Sequence, residues 1–176
     1  MSEADHPTLL SSCARAATAA EARFRVDYPN SRRRRSRIFA LDAGAAEAIY
    51  TIAEAPWNDA HFLTVSGPDI ADPDAVTAQA LPLGAPDGSR ADLAAELEGA
   101  DLVVLLASTA ANPGAAEVIA REAYRRKTMI AGLALGSGQK PAALDDVVAA
   151  LRPFASVLVV ATDSEFVPAM LNALRA

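Results

Sequence analysis

Apolar residues along the chain fall into short continuous runs, separated by stretches with helical spacing. The runs are RIFALD (37–42), HFLTVSG (61–67), DLVVLLAS (101–108), TMIAGLALG (128–136) and SVLVVATD (156–163). Each predicts a strand, and three of them are almost uninterrupted, as expected of strands buried on both faces. Between them lie helical patterns. AAEAIYTIAEAPW follows the first strand and stops near Pro56. SRADLAAELEGA (89–100) predicts a helix with Ser89 as N-cap and Asp92 three residues on, a short version of the capping box. Asn112 caps a helix with Pro113 in its first turn, running to about Arg126. AALDDVVAALRPF ends near Pro153, and SEFVPAMLNALRA closes the chain. A further short strand is expected around 77–81.

Before the first strand, residues 8–26 have a helical stripe of Leu9, Leu10, Cys13, Ala17, Ala20 and Phe24, ended by DYPNS. The run RRRRSR (32–37) follows. Two segments are therefore expected: residues 1–36, an N-terminal helix with an Arg-rich stretch, and residues 37–176, an α/β domain. Strand alternates with helix throughout the second. That pattern predicts a three-layer, Rossmann-like α/β fold, with a mostly parallel sheet covered by helices on both faces.

Composition narrows the class. The 176 residues are 52% hydrophobic but only 5% aromatic, so the core is built from Ala, Val and Leu. Cys13 is the single cysteine, which excludes an intrachain disulfide and fits a reducing compartment. The first twenty residues lack the apolar run of a secretory signal, and no stretch reaches a transmembrane length, so a cytoplasmic protein is expected. The net charge of −6 is unevenly spread. Residues 1–37 hold eight Arg against four acids, and residues 38–176 hold eight Lys and Arg against eighteen acids.

In an open parallel sheet, ligands bind beyond the carboxyl ends of the strands, where strand order reverses. That rule selects Asp42 and Gly44, Ser66, Ser108 with Thr109 and Asn112, Gly136 with Ser137, and Asp163 as a ligand-binding rim. The same residue types also build turns and caps in any α/β protein. The motifs of common nucleotide sites are missing. The first turn, LDAGAAEAI, has Gly44 alone where a dinucleotide fold needs three glycines, and GLALGSGQKP has the wrong spacing for a P-loop. The helix following Asn112 still offers first-turn N–H groups to an anion.

Catalytic sets are sparse. No spacing suits a metal, and no nucleophile elbow is present. His61 begins a strand beside Asp59 and is read as a surface or packing residue. Asp42 and Asp163 both end strands and are the candidate carboxylates for acid–base work, against the plainer role of capping acids. The Arg32–Arg35 run admits several roles. It can be a solvated run, dock on the acidic body, contact a partner or bind phosphate, and nucleic acid is the less expected use because interleaved aromatics are missing.

The stretch GADLVVLLASTAANPGAAEVIAREAYRRKTMIAGLALG is similar to the strand, signature loop, helix and next strand of the tubulin and FtsZ family. LDDVVAALRPFASVLVVATDSEF is similar to that family's later helix and strand, and RIFALDAGAAEAI stands where its first phosphate loop would be. The resemblance spans roughly residues 37–165. It is one of pattern: the glycines of the signature loop are reduced to Gly114 beside Thr109, and the first loop has lost its own. The resemblance implies a reduced relative without GTP hydrolysis, the family's catalytic acid lying in a following domain.

These readings converge on a module that binds a small anionic or nucleotide-like ligand as carrier, sensor or assembly component, without covalent chemistry. The cofactor and catalytic residues are undefined at this level. A homodimer is expected from the Ala-rich helix surfaces. The alternatives are an enzyme (transferase, lyase or hydrolase) using a strand-end carboxylate, and a scaffold using the basic N-terminal segment.

Overall fold

A computed structural model describes residues 32–108, 112–136, 142–161 and 164–176. The helix expected over 8–26 lies outside them. The described residues form an α/β unit with a seven-stranded, mostly parallel sheet and five helices. The strands are β1 (Ser36–Ala40), β2 (Ala60–Val65), β3 (Leu83–Gly84), β4 (Arg90–Ala91), β5 (Leu102–Ala107), β6 (Met129–Leu135) and β7 (Val157–Ala161). The helices are α1 (Ala43–Ala53), α2 (Leu93–Glu96), α3 (Pro113–Arg125), α4 (Ala142–Leu151) and α5 (Phe166–Ala173).

The sheet order is β4-β3-β2-β1-β5-β6-β7, with β2, β1, β5, β6 and β7 parallel and β3 and β4 antiparallel. From β1 the chain moves first to β2 on one side and later to β5 on the other. The order therefore reverses between β1 and β5, which places a crevice at the carboxyl ends of those strands.

The strong strands repeat the side-chain period of two. Phe39, Leu63, Val103 and Leu105 point into one core cluster, which α3, α4 and the short α2 cover. Ile38, Phe62, Val104 and Leu106 point into the other, covered by α1 and α5. This double burial explains why the sequence shows apolar runs rather than alternation. Small residues set the spacing of the layers. A Cβ on Gly132 would stand 2.5 Å from Leu158 Cδ1 and 3.0 Å from Leu151 Cδ1, so glycine is what lets α4 and β7 close on β6.

Two expectations are corrected. The helix expected over 89–100 shrinks to a single turn. Ser89 does not cap it; its N–H and hydroxyl both bond Asp87 Oδ1, which forms a turn, and Arg90–Ala91 then pairs with β3. Asp92 is the cap, accepting from Ala95 N at 2.9 Å, and Gly99 at φ 68° ends the segment. The strand expected around 77–81 is a turn instead, closed by Ala80 N on Thr77 O at 3.0 Å. Strand pairing begins only after Pro82, which has no N–H to donate.

The Arg run stays largely exposed but makes several contacts with the α/β body. Arg32 and Arg35 pair with Asp101 at 2.9 and 3.8 Å, and Arg34 Nη1 donates to Leu174 O at the end of α5. Arg37 is 6% exposed and holds Glu96 at 3.1 Å while donating to the carbonyls of Ser36, Asp59 and Glu96. His61 completes this cluster: its Nδ1 lies 2.7 Å from Glu96 Oε2 and its Nε2 3.6 Å from Asp59. These residues surround the amino ends of β1, β2 and β5, opposite the crevice.

Overpacking the narrow β6–α4 contact is expected to destabilise the fold. Gly132→Ala forces two leucine side chains off their positions, at a cost of about 1–3 kcal/mol. Urea unfolding should show a lower midpoint with an unchanged slope.

Candidate functional site

At the reversal point the chain leaves β1 through Leu41 and Asp42, and α1 starts at once. Asp42 is 7% exposed, and three donors occupy its carboxylate. Ala45 N donates to Oδ1 at 2.9 Å, as an N-cap requires. Ser108 N donates to Oδ2 at 2.7 Å, and the Ser108 hydroxyl donates to Oδ1. One side chain thus caps α1 and holds the end of β5 to the end of β1. Gly44 makes the approach possible: a Cβ there would fall 2.4 Å from Ser108 Oγ.

Asn112 has a parallel task. Its Oδ1 accepts from Ala115 N at 3.0 Å, capping α3, and from Ile70 N at 3.2 Å. The connection between β2 and β3 is thereby drawn over the start of α3. Gly114 admits it, since a Cβ there would fall 2.0 Å from the Ile70 carbonyl oxygen. This packing takes up part of the donor set that an anion would use at that helix. Pro113 has no N–H, Ala115 N is held by the Asn112 side chain, and Ala116 N by the Asn112 carbonyl at 3.1 Å. Little of the first turn is left for a phosphate.

Beside this knot lies an open cleft of about 840 Å³. Its size falls within the roughly 300–1,000 Å³ typical of small-molecule sites. Leu41, Ala43, Ala46 and Val65 give it an apolar lining. Glu47, Tyr50 and Thr51 come from α1, Thr64 from β2, and Gly67 and Asp69 from the connection that follows β2. Asp42 and Asn112 close one side. The Tyr50 hydroxyl and Thr64 Oγ1 are 2.7 Å apart, which anchors the ring between helix and sheet. Among the described residues, no Lys, Arg or His lines the cleft.

The rim expected from the sequence therefore divides. Asp42 and Asn112 line the cleft, and Gly44 and Ser108 pack directly against Asp42. Ser66 bonds the Pro82 carbonyl through both its N–H (2.9 Å) and its hydroxyl (3.3 Å), tying β2 to the strand beyond it. Gly136 stands at the end of β6 and donates to Ala161 O at 2.8 Å, outside the cleft lining. Thr109, Ser137 and Asp163 lie outside the described residues. The strand-end rule missed Glu47, Tyr50 and Thr51 because they belong to a helix. Their spacing, three and four residues apart, does put them on one helical face, and that signal was present in the sequence.

A smaller, more polar hollow of about 340 Å³ lies between α3 and the segment around Pro73–Gln79, lined by Arg121, Arg125 and Arg126. Its cations are already matched. Arg121 pairs with Glu117 at 2.5 Å and Asp74 at 2.6 Å, and these bonds, Glu117's foremost, hold its guanidinium pKa above the usual value. Arg125 and Arg126 both fold onto Glu122, at 3.0 and 2.9 Å.

Compared with models of known protein families and with curated proteins, the chain gives no match.

The Asp42 knot is expected to matter for stability before anything else. Asp42→Ala removes the α1 cap and leaves the Ser108 N–H and hydroxyl buried without an acceptor, costing about 2–4 kcal/mol. Asp42→Asn keeps one acceptor oxygen and should cost less. Thermal unfolding of the two variants tests the ranking, and equal stabilities would remove the carboxylate from this role.

Proposed function

We propose that the protein is a Rossmann-like three-layer domain that binds a small ligand in the cleft over the carboxyl ends of β1 and β2, as a carrier, sensor or assembly component and without covalent chemistry. The observation that carries this reading is an apolar, open cleft beside a carboxylate whose own neighbours take up most of its acceptor positions. A general base needs a lone pair free for the substrate's proton. Of the roughly four acceptor positions of Asp42, Ala45 N, Ser108 N and Ser108 Oγ take three. That weighs against the enzymatic alternative with Asp42 as base.

The scaffold alternative loses part of its support for a similar reason. Arg34 and Arg37 are engaged by carbonyls and a carboxylate of the body, and the exposed Arg32 and Arg35 share Asp101. Descent from the tubulin and FtsZ family remains a proposal about ancestry. The filled approach at Gly44 and the occupied first turn of α3 are departures from a phosphate-gripping loop, in keeping with a relative that hydrolyses no GTP.

We read the homodimer as an edge-to-edge assembly through β7. Among the described residues this strand ends the sheet, its sequence VLVVA carries no charge or proline, and Val160 is 52% exposed. The other edge is the two-residue β4, which includes Arg90. A long apolar edge invites another strand, and two copies of one edge complement each other antiparallel about a twofold axis.

Two measurements check these readings. In a thermal-shift screen of the full chain against cationic, neutral and anionic metabolites, nucleotides included, a ligand at a hundred times its dissociation constant adds about 2.7 kcal/mol. The shift should vanish in Thr51→Trp, which fills the cleft from an exposed rim position; a shift that survives places the ligand elsewhere. Light scattering should give the mass of two chains for the unaltered protein and of one for Val160→Lys. An unaltered protein that runs as a monomer sinks the dimer.

A further inference from the structure

The lining of the cleft specifies more than a cavity. Tyr50 is 43% exposed, yet its hydroxyl is bound to Thr64 Oγ1 at 2.7 Å. A large aromatic ring is thus held at the cleft with much of its surface uncovered. Glu47 lies three residues before it on the same helix, which makes the two side chains neighbours on one face. Asp69 enters from the connection after β2. None of the salt bridges among the described residues engages Glu47 or Asp69, whereas Asp74, Glu96, Asp101, Glu117 and Glu122 each hold a cation.

A fixed aromatic face next to unmatched carboxylates over an apolar floor is a chemistry for positive charge. The ring quadrupole attracts a cation at its face, the carboxylates add to the attraction, and an apolar body gains from leaving water. An anion would meet three carboxylates, Asp42, Glu47 and Asp69, and no positive partner among the described lining residues. We propose that the cleft takes an organic ammonium ligand, a protonated amine on a small apolar body. This rests on the cleft being the ligand site. It departs from the anionic or nucleotide-like ligand that the sequence led us to expect.

Three probes with one phenylethyl body separate the head groups: phenethylamine, 2-phenylethanol and 3-phenylpropanoate. Each is titrated into the full chain and followed by amide NMR and calorimetry. The amine is expected to bind about five- to tenfold tighter than the alcohol, since both carboxylates are solvent-exposed and each contributes modestly, and the acid should bind weakest. Glu47→Gln combined with Asp69→Asn should remove most of the amine's advantage over the alcohol and leave the alcohol itself unchanged. Tyr50→Leu should weaken the amine more than the alcohol. Equal binding of the three probes, all abolished by Thr51→Trp, overturns the ammonium assignment and leaves the cleft as the ligand site. Tightest binding of the acid overturns it in the same way. No binding by any probe overturns it as well, and the wider thermal-shift screen then decides the cleft reading on its own.

Discussion

The Asp42 carboxylate joins the ends of β1 and β5 to the start of α1, just past the point where the backbone ladder stops. β1 and β5 are neighbours in the sheet but 60 and more residues apart in the chain, and both end where their hydrogen-bond ladder stops. There Asp42 accepts from Ser108 N and Oγ on the β5 side and from Ala45 N on the α1 side. A buried carboxylate is costly unless its lone pairs are matched, and here three donors match them. The start of α1 and the tie between the ends of β1 and β5 both depend on that one group. Asn112 repeats the device one connection later and fixes the loop after β2 over the start of α3.

Charge is divided along the strand direction. At the amino ends of the strands, Arg37 is buried with Glu96, His61 stands on the same carboxylate, and Arg32 and Arg35 meet at Asp101. At the carboxyl ends, the cleft carries Glu47 and Asp69, with no cation among its described lining. Arg34 and Arg37 therefore tie down one end of the sheet, and acids are the charged residues in the described lining at the other. Exposed pairs such as Arg32–Asp101 add little individually, but Arg37 is 6% exposed, and removing Glu96 would strand its charge.

Much of this architecture was legible in the chain. Strands buried on both faces leave uninterrupted apolar runs, and LVVLLA at 102–107 and MIAGLAL at 129–135 are observed as strands close to where the runs predict them. Asn112 followed by Pro113 announced a helix start, and the side chain makes the expected cap. The failures share a cause. Ser89 and Asp92 both suit a cap, and only the pairing of Arg90–Ala91 with β3 chose between them. The strand expected around 77–81 and the true one at Leu83–Gly84 differ by where β2 finds a partner, which is a long-range contact.

Residues at the candidate site divide along the same line. The sequence alone determined the element types, the parallel strands buried on both faces, and Asp42, Ser108 and Asn112 as polar groups at strand ends, because local spacing and capping chemistry are written in neighbouring residues. Tertiary structure alone decided that the order reverses between β1 and β5, that Ser108 and Ala45 both bond Asp42, and that Ile70 covers Gly114. It also decided that Glu47, Tyr50 and Asp69 share one cleft. Those facts depend on which distant segments lie side by side, and that is settled by packing the whole core rather than by any stretch of the chain.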